Sequence, residues 1–242
     1  MADYHKQYLS LLGDAARAEG TDMSRVFITF MAMSYNAIKK STVMGEPAEA
    51  CEAAYMAEIG RMREPDKTAQ YASEALGVTV EALSDSYSDF LGPIMMEASS
   101  NQRMGQFFTP SSLCDVVSAL TIDDAMIKRL KEDPNFYITA QEPSVGAGAM
   151  CISMGAYLRS RDIDPSFNLV IQAIELDQRA YHACYVQLSL LGMNAEVVHG
   201  NTLSLEVYDQ ALTPVRRMHP KPFTQPKPTP PRRAKPKAPK NP

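Results

Sequence analysis

Three short stretches in the second half of this 242-residue chain hold side chains of chemical use. Gln141-Glu142-Pro143-Ser144-Val145-Gly146-Ala147-Gly148 follows an apolar run. Its two glycines let the backbone turn tightly and let a ligand approach where a Cβ would block it. Glu142, at the end of that run, can accept a hydrogen bond from an ammonium group. A Gly-x-Gly of this kind is equally the mark of a plain strand-to-helix turn. Further on, Ala173-Ile174-Glu175-Leu176-Asp177 puts an acidic side chain where nucleoside-binding sheets keep their acceptor for ribose hydroxyls. Glu175 takes that role, and Asp177, directly before a helix, suits its N-cap. The third stretch, Val198-His199-Gly200-Asn201-Thr202-Leu203, offers Asn201 to a base edge and uses His199 as a strand residue.

The elements that position these groups follow from periodicity. Phe136–Ala140, Leu169–Glu175 and Ala195–His199 are short apolar runs, separated by helices over roughly 147–161 and 178–191. Strands alternating with helices of this length make βαβ units and a parallel sheet. Right-handed crossovers place the first run at the centre and the third towards one edge, with all three carboxyl ends lining one crevice. Residues 1–100 contain only helical periodicity, in sets such as Tyr4, Tyr8, Leu11, Leu12 and Val26, Phe27, Phe30, Met31. Breaks fall at Gly20-Thr21-Asp22, Gly45-Glu46-Pro47 and Glu64-Pro65-Asp66, and a further periodic run spans Ala82 to Leu91. The methionines in this half read as flexible core filling.

Composition removes several classes. No stretch approaches the length of apolar sequence that a membrane span needs, and the N-terminus lacks a signal peptide's basic and apolar regions. Cys51, Cys114, Cys151 and Cys184 are scattered, without CxxC spacing, and read as buried free thiols of a cytoplasmic protein, not as ligands of a metal. The net charge of −4 hides a split. Residues 214–242 carry nine Lys and Arg, no acidic group and ten of the 17 prolines, which leaves residues 1–213 at −13. Such a segment buries too little apolar surface to fold. It is either a phosphate-backbone contact, or a soluble linker or end-piece or the by-product of a frameshifted or shuffled gene end.

Taken in order, Gly105-Gln106-Phe107-Phe108-Thr109-Pro110, then the Glu142–Met150 stretch, then Ala173–Asp177, then His199–Leu203, resemble the N6-adenine DNA methyltransferases. The closest likeness is to the modification subunit of type I restriction systems. It covers about residues 88–203, including the lead-in Ser88-Asp89-Phe90-Leu91-Gly92. The resemblance implies an α/β chain with a helical N-terminal domain over 1–100. An incomplete Rossmann-like methyltransferase domain of three to four parallel strands follows over 101–213, and a disordered tail over 214–242.

It also implies S-adenosyl-L-methionine as cofactor. Gln106, Phe107, Phe108, Thr109 and Pro110 would cover its methionine end; Glu142, Gly146, Ala147 and Gly148 would surround the methionine moiety. Glu175 would accept the ribose hydroxyls, Leu176 pack on the adenine, and Asn201 stand where the family usually has Asp. The implied partners are DNA, with the basic residues 216–240 as one contact, and specificity or restriction subunits or a second copy.

One part of the family pattern fails. Transfer to adenine needs an Asn/Asp-Pro-Pro-aromatic turn after a fourth strand, whose amide or carboxylate and carbonyl accept from the target amino group. Here Val207–Leu212 is followed by Thr213-Pro214-Val215-Arg216, and the residues beyond are too few and too proline-rich for further strands. The expectation is a chain that holds cofactor but lacks transfer by itself or needs a partner, with no catalytic residue to name. The alternative is a non-catalytic interaction module of a restriction-modification or mobile-element anti-restriction system.

Overall fold

Asp3 accepts a hydrogen bond from the backbone N–H of Lys6 and opens α1 (Tyr4–Glu19), which ends on Gly20 in the left-handed region. Asp22 does the same for Arg25 and opens α2 (Met23–Thr42). Pro47 and Pro65 stand in the first turns of α3 (Glu46–Gly60) and α4 (Pro65–Asp85), where a missing N–H costs nothing. The expected breaks are therefore the observed ones. The run from Ala82 to Leu91 is not one helix: residues 86–90 leave it, and α5 (Leu91–Ala98) starts afresh. In the computed structural model the described residues are 3–99 and 109–223.

Beyond α6 (Ser111–Thr121) and α7 (Asp124–Glu132) come β1 (Ile138–Glu142), α8 (Ala149–Arg159), the short α9 (Pro165–Asn168), β2 (Leu169–Glu175), α10 (Gln178–Leu190) and β3 (Asn194–Asn201). Two more elements follow, β4 (Glu206–Leu212) and α11 (Pro214–Met218). The sheet order is β1-β2-β3-β4. β1 and β2 pair in parallel from Ile138↔Leu169 to Glu142↔Ala173, and β2 and β3 from Val170↔Asn194 to Glu175↔His199. The first run thus lies at an edge of the sheet, not at its centre. Both helical crossovers step in the same direction, and among the described residues no strand joins β1 on its other side.

The fourth strand is antiparallel, Glu196 facing Leu212 and Asn201 facing Glu206. Only residues 202–205 connect it to β3, far too few for the crossover that a parallel partner requires. Asp209 on β4 fixes that return. It accepts from Tyr35 at 2.5 Å, Tyr181 at 3.2 Å and Lys39 at 3.0 Å, tying the strand to α2 and α10. Burial acts to raise its pKa, but the bonds from Tyr35 and Lys39 hold it below the ordinary carboxylate value.

The interior runs continuously from Tyr8, Leu12, Phe27 and Phe30 through Leu91 and Ile94 to Leu169, Ile171, Tyr181 and Tyr185. One set of alternate strand positions belongs to this core. Part of the other set forms a polar ladder, with Gln141 donating to Gln172 at 2.9 Å and Gln172 to Glu196 at 3.1 Å. Disorder expected from residue 214 onward does not hold for 214–223, and residues 224–242 lie outside the described residues. Thr213 caps α11, and Pro222 accepts from the Tyr137 hydroxyl at 2.9 Å. All four cysteines are free and buried.

Candidate functional site

The carboxyl ends of β1 and β2 open into a cavity of about 420 Å³. Its walls are Thr109, Glu142, Ser144, Val145, Gly146, Ala149, Met150, Glu175, Leu176 and Ala180. The turn between β1 and α8 makes one side. Gly146 and Gly148 there have φ of 59° and 112°, a region that residues with a Cβ rarely enter. Val145 binds back to β2 through its N–H on the Ile174 carbonyl at 3.0 Å.

Glu175 ends β2 beside this turn and is 8% exposed. Its Oε2 accepts from the Gly146 N–H and its Oε1 from the Asp177 N–H, both at 2.8 Å. Each oxygen keeps a further lone pair for a ligand hydroxyl. Asp177 caps α10 by accepting from the Arg179 N–H, so the two acidic groups divide the roles as their positions suggest. Glu142 faces the same space, and its Oε1 accepts weakly from Ser144 N–H at 3.3 Å. Among the described residues, two carboxylates and no Lys, Arg or His line the cavity. That lining favours a cationic ligand and repels a pyrophosphate.

The structure brings Thr109, Glu142, Gly146, Glu175 and Leu176 together around this cavity. It does not bring in Pro110, which opens α6 at the surface, or Ala147, which is fully buried behind the turn. Gly148 caps α8 and stands against Cys184, Ile152 and Leu188. Asn201 is turned away: its Oδ1 accepts from the N–H groups of Leu203 and Ser204 at 3.0 and 3.3 Å. The neighbouring Thr202 instead donates to the Pro143 carbonyl at 2.6 Å, holding the end of β3 to the turn. Gln106, Phe107 and Phe108 lie outside the described residues.

Sequence reasoning missed Ser144, Val145, Ala149, Met150 and Ala180 as lining residues. Four of them flank the glycines and were within reach of the motif. Ala180 becomes visible only once the first turn of α10 is placed beside β2.

Thr213, which replaces the polar head of the expected catalytic turn, is fully buried. Its hydroxyl donates to the Met193 carbonyl at 2.6 Å and accepts from the Ala195 N–H at 3.1 Å. Because β4 runs antiparallel, Thr213 and Pro214 sit beside the start of β3, at the end of the sheet opposite the cavity.

A family model described as N-6 DNA Methylase matches residues 79–217. Among solved structures, one similar chain is described as a class I S-adenosylmethionine-dependent methyltransferase from Listeria monocytogenes, with a TM-score of 0.42 and 12% identity. The match covers 86% of the present chain and 56% of that one, so the present chain spans little more than half of its length. No curated protein matches. Among the described residues no helix is long and apolar enough to cross a membrane, and no cluster of His, Cys, Asp and Glu could hold a metal ion.

Proposed function

The chain belongs to the N-6 DNA methylase family, and from that premise we propose that it binds S-adenosyl-L-methionine in the cavity at the ends of β1 and β2 without transferring the methyl group by itself. The observation that carries this reading is the lining: two carboxylates, the left-handed Gly146 and, among the described residues, no basic group. S-adenosyl-L-methionine is the family's cofactor and supplies an electrophilic methyl on a sulfonium. It carries two cationic groups against one carboxylate, which suits a cavity of this charge. The volume falls within the usual range of small-molecule sites. The residues present therefore fit the group.

Glu175 is assigned to the ribose hydroxyls, already aimed by the N–H groups of Gly146 and Asp177. Glu142 is assigned to the ammonium group, Thr109 to the methionine end and Leu176, half exposed at the rim, to the adenine face. The adenine-edge role is withdrawn from Asn201, whose oxygen its own turn occupies.

DNA is the substrate of the family. For the chain's own contact with it, the basic residues of 216–240 are the proposed phosphate contacts, sequence-independent and weakened by salt. Arg216 and Lys221 are not free for this, since they donate to the carbonyls of Lys221 and Phe167. Arg217 is exposed.

Transfer by this chain alone is not supported, because Thr213-Pro214 faces away from the cavity and the Thr213 hydroxyl is spent inside the fold. A tritiated-methyl transfer assay on adenine-containing duplex DNA tests this. The purified chain is expected to give counts at the level of a no-enzyme blank. Sustained transfer by the single chain would contradict the proposal. Partner dependence is tested in the same assay, where counts that appear only on adding a second subunit assign the missing turn to that subunit.

A further inference from the structure

Gln187 is fully buried on α10 and spends its whole hydrogen-bonding capacity on two distant parts of the chain. Its Oε1 accepts from the backbone N–H groups of Phe90 at 2.8 Å and Leu91 at 3.0 Å. Its Nε2 donates to the Ala147 carbonyl at 2.8 Å and to Asp89 Oδ1 at 2.8 Å. That Asp89 oxygen also accepts from the Gly92 N–H at 3.0 Å. A Cβ at Gly92 would press on the Asp89 carboxylate and push it from its place beside Gln187. Ser88-Asp89-Phe90-Leu91-Gly92 is thus one half of a clamp whose other half is the glycine turn.

The clamp has one workable orientation. Turning the amide over would set its NH2 against two N–H donors and its oxygen against a carbonyl and a carboxylate. It also acts where local preference is weakest. Ala147 lies between Gly146 and Gly148, whose backbones have more conformational freedom than any other residue type. A buried side chain needing four bonds is costly to satisfy, and an apolar residue of similar size would fill the space without that demand.

We propose that Gln187 is a positioning residue for the cofactor turn. By holding the Ala147 carbonyl to the entry of α5, it sets the Gly146 N–H on Glu175 and aims that carboxylate. The proposal rests on the reading of the cavity as an S-adenosyl-L-methionine site. It makes the approach to α5 part of that site, although no residue of 89–92 lines the cavity.

The test compares the full chain with Gln187→Glu, Gln187→Asn and, as a control destabilised away from the turn, Leu12→Ala in α1, whose core side chain is fully buried. Gln187→Glu keeps acceptors for Phe90 and Leu91 but loses both donors. Backbone amide exchange at 145–148 is measured without ligand, and S-adenosyl-L-methionine affinity by calorimetry. Faster exchange at these amides and at least tenfold weaker binding are expected in the Gln187 variants, with both unchanged in Leu12→Ala. Unchanged exchange and affinity in a folded Gln187 variant would overturn the proposal, as would equal losses in Leu12→Ala. If Gln187→Glu does not fold, Gln187→Asn carries the comparison. If the unaltered chain shows no binding, the cavity reading fails, and the exchange measurement still decides whether Gln187 holds the turn.

Discussion

At the residue scale, position decides what a polar group can do. Glu175 and Thr213 are both buried, and both have their oxygens bonded to backbone. Glu175 keeps free lone pairs towards a cavity, whereas Thr213 has its hydroxyl closed between Met193 and Ala195. Thr213 is therefore structural. Replacing it by Val, which keeps the shape, strands the Ala195 N–H without its side-chain partner and removes the cap of α11. A cost of about 1–3 kcal/mol is expected in denaturant unfolding, with cofactor affinity unchanged. Glu175, Leu176 and Gly146 were legible in the sequence because each follows a strand at a motif's fixed offset. Asn201 has that same offset, but an Asx-type turn claims its oxygen, and composition does not reveal that competition. Gln187 gave no signal at all, since its partners are 40 and 98 residues away.

At the element scale, β4 decides how far the fold follows its family pattern. Its four-residue connection makes it antiparallel, and Asp209 locks it to α2 and α10. Asp209→Ala leaves Lys39, 17% exposed in its side chain, without its ion-pair partner. About 2 kcal/mol of stability should be lost, and amide exchange should rise along β4 before it rises along β2. The helices and the three parallel strands were readable from periodicity, caps and prolines. The strand order was not. Placing β1 at the centre assumed a neighbour on its far side, and nothing in the five residues Ile138–Glu142 says whether one is present. The polar positions Gln141, Gln172 and Glu196 were a visible sign that one face meets water, since a sheet covered on both sides reads as continuous apolar runs.

At the scale of the whole molecule, the helical half and the sheet are joined by buried polar chemistry as well as by apolar contact, and that chemistry titrates. His182 is 7% exposed, stacked on Tyr35 at 4.4 Å, and faces Asp209, His199 and Lys39. Burial lowers its pKa from 6.5 to about 4. The unfolded chain binds the proton more readily, so stability is full above pH 6.5 and falls as the pH drops towards 4. About 3 kcal/mol should be lost across that window, and His182→Phe, which preserves the stack, should lose that much less. Denaturant unfolding at pH 7.5 and pH 4.5 measures the difference. The acidic body and basic end noted in the sequence divide in the same way: among the described residues the cavity has no basic group, and Arg216 and Arg217 stand at the opposite end of the sheet. The central claim is that this cavity holds S-adenosyl-L-methionine through Glu175. Calorimetric titration of the chain and of Glu175→Ala, side by side, tests it most directly. The account predicts saturable one-site binding by the unaltered chain, weakened at least tenfold in a folded Glu175→Ala. Absence of binding, or equal affinity in both proteins, would contradict it.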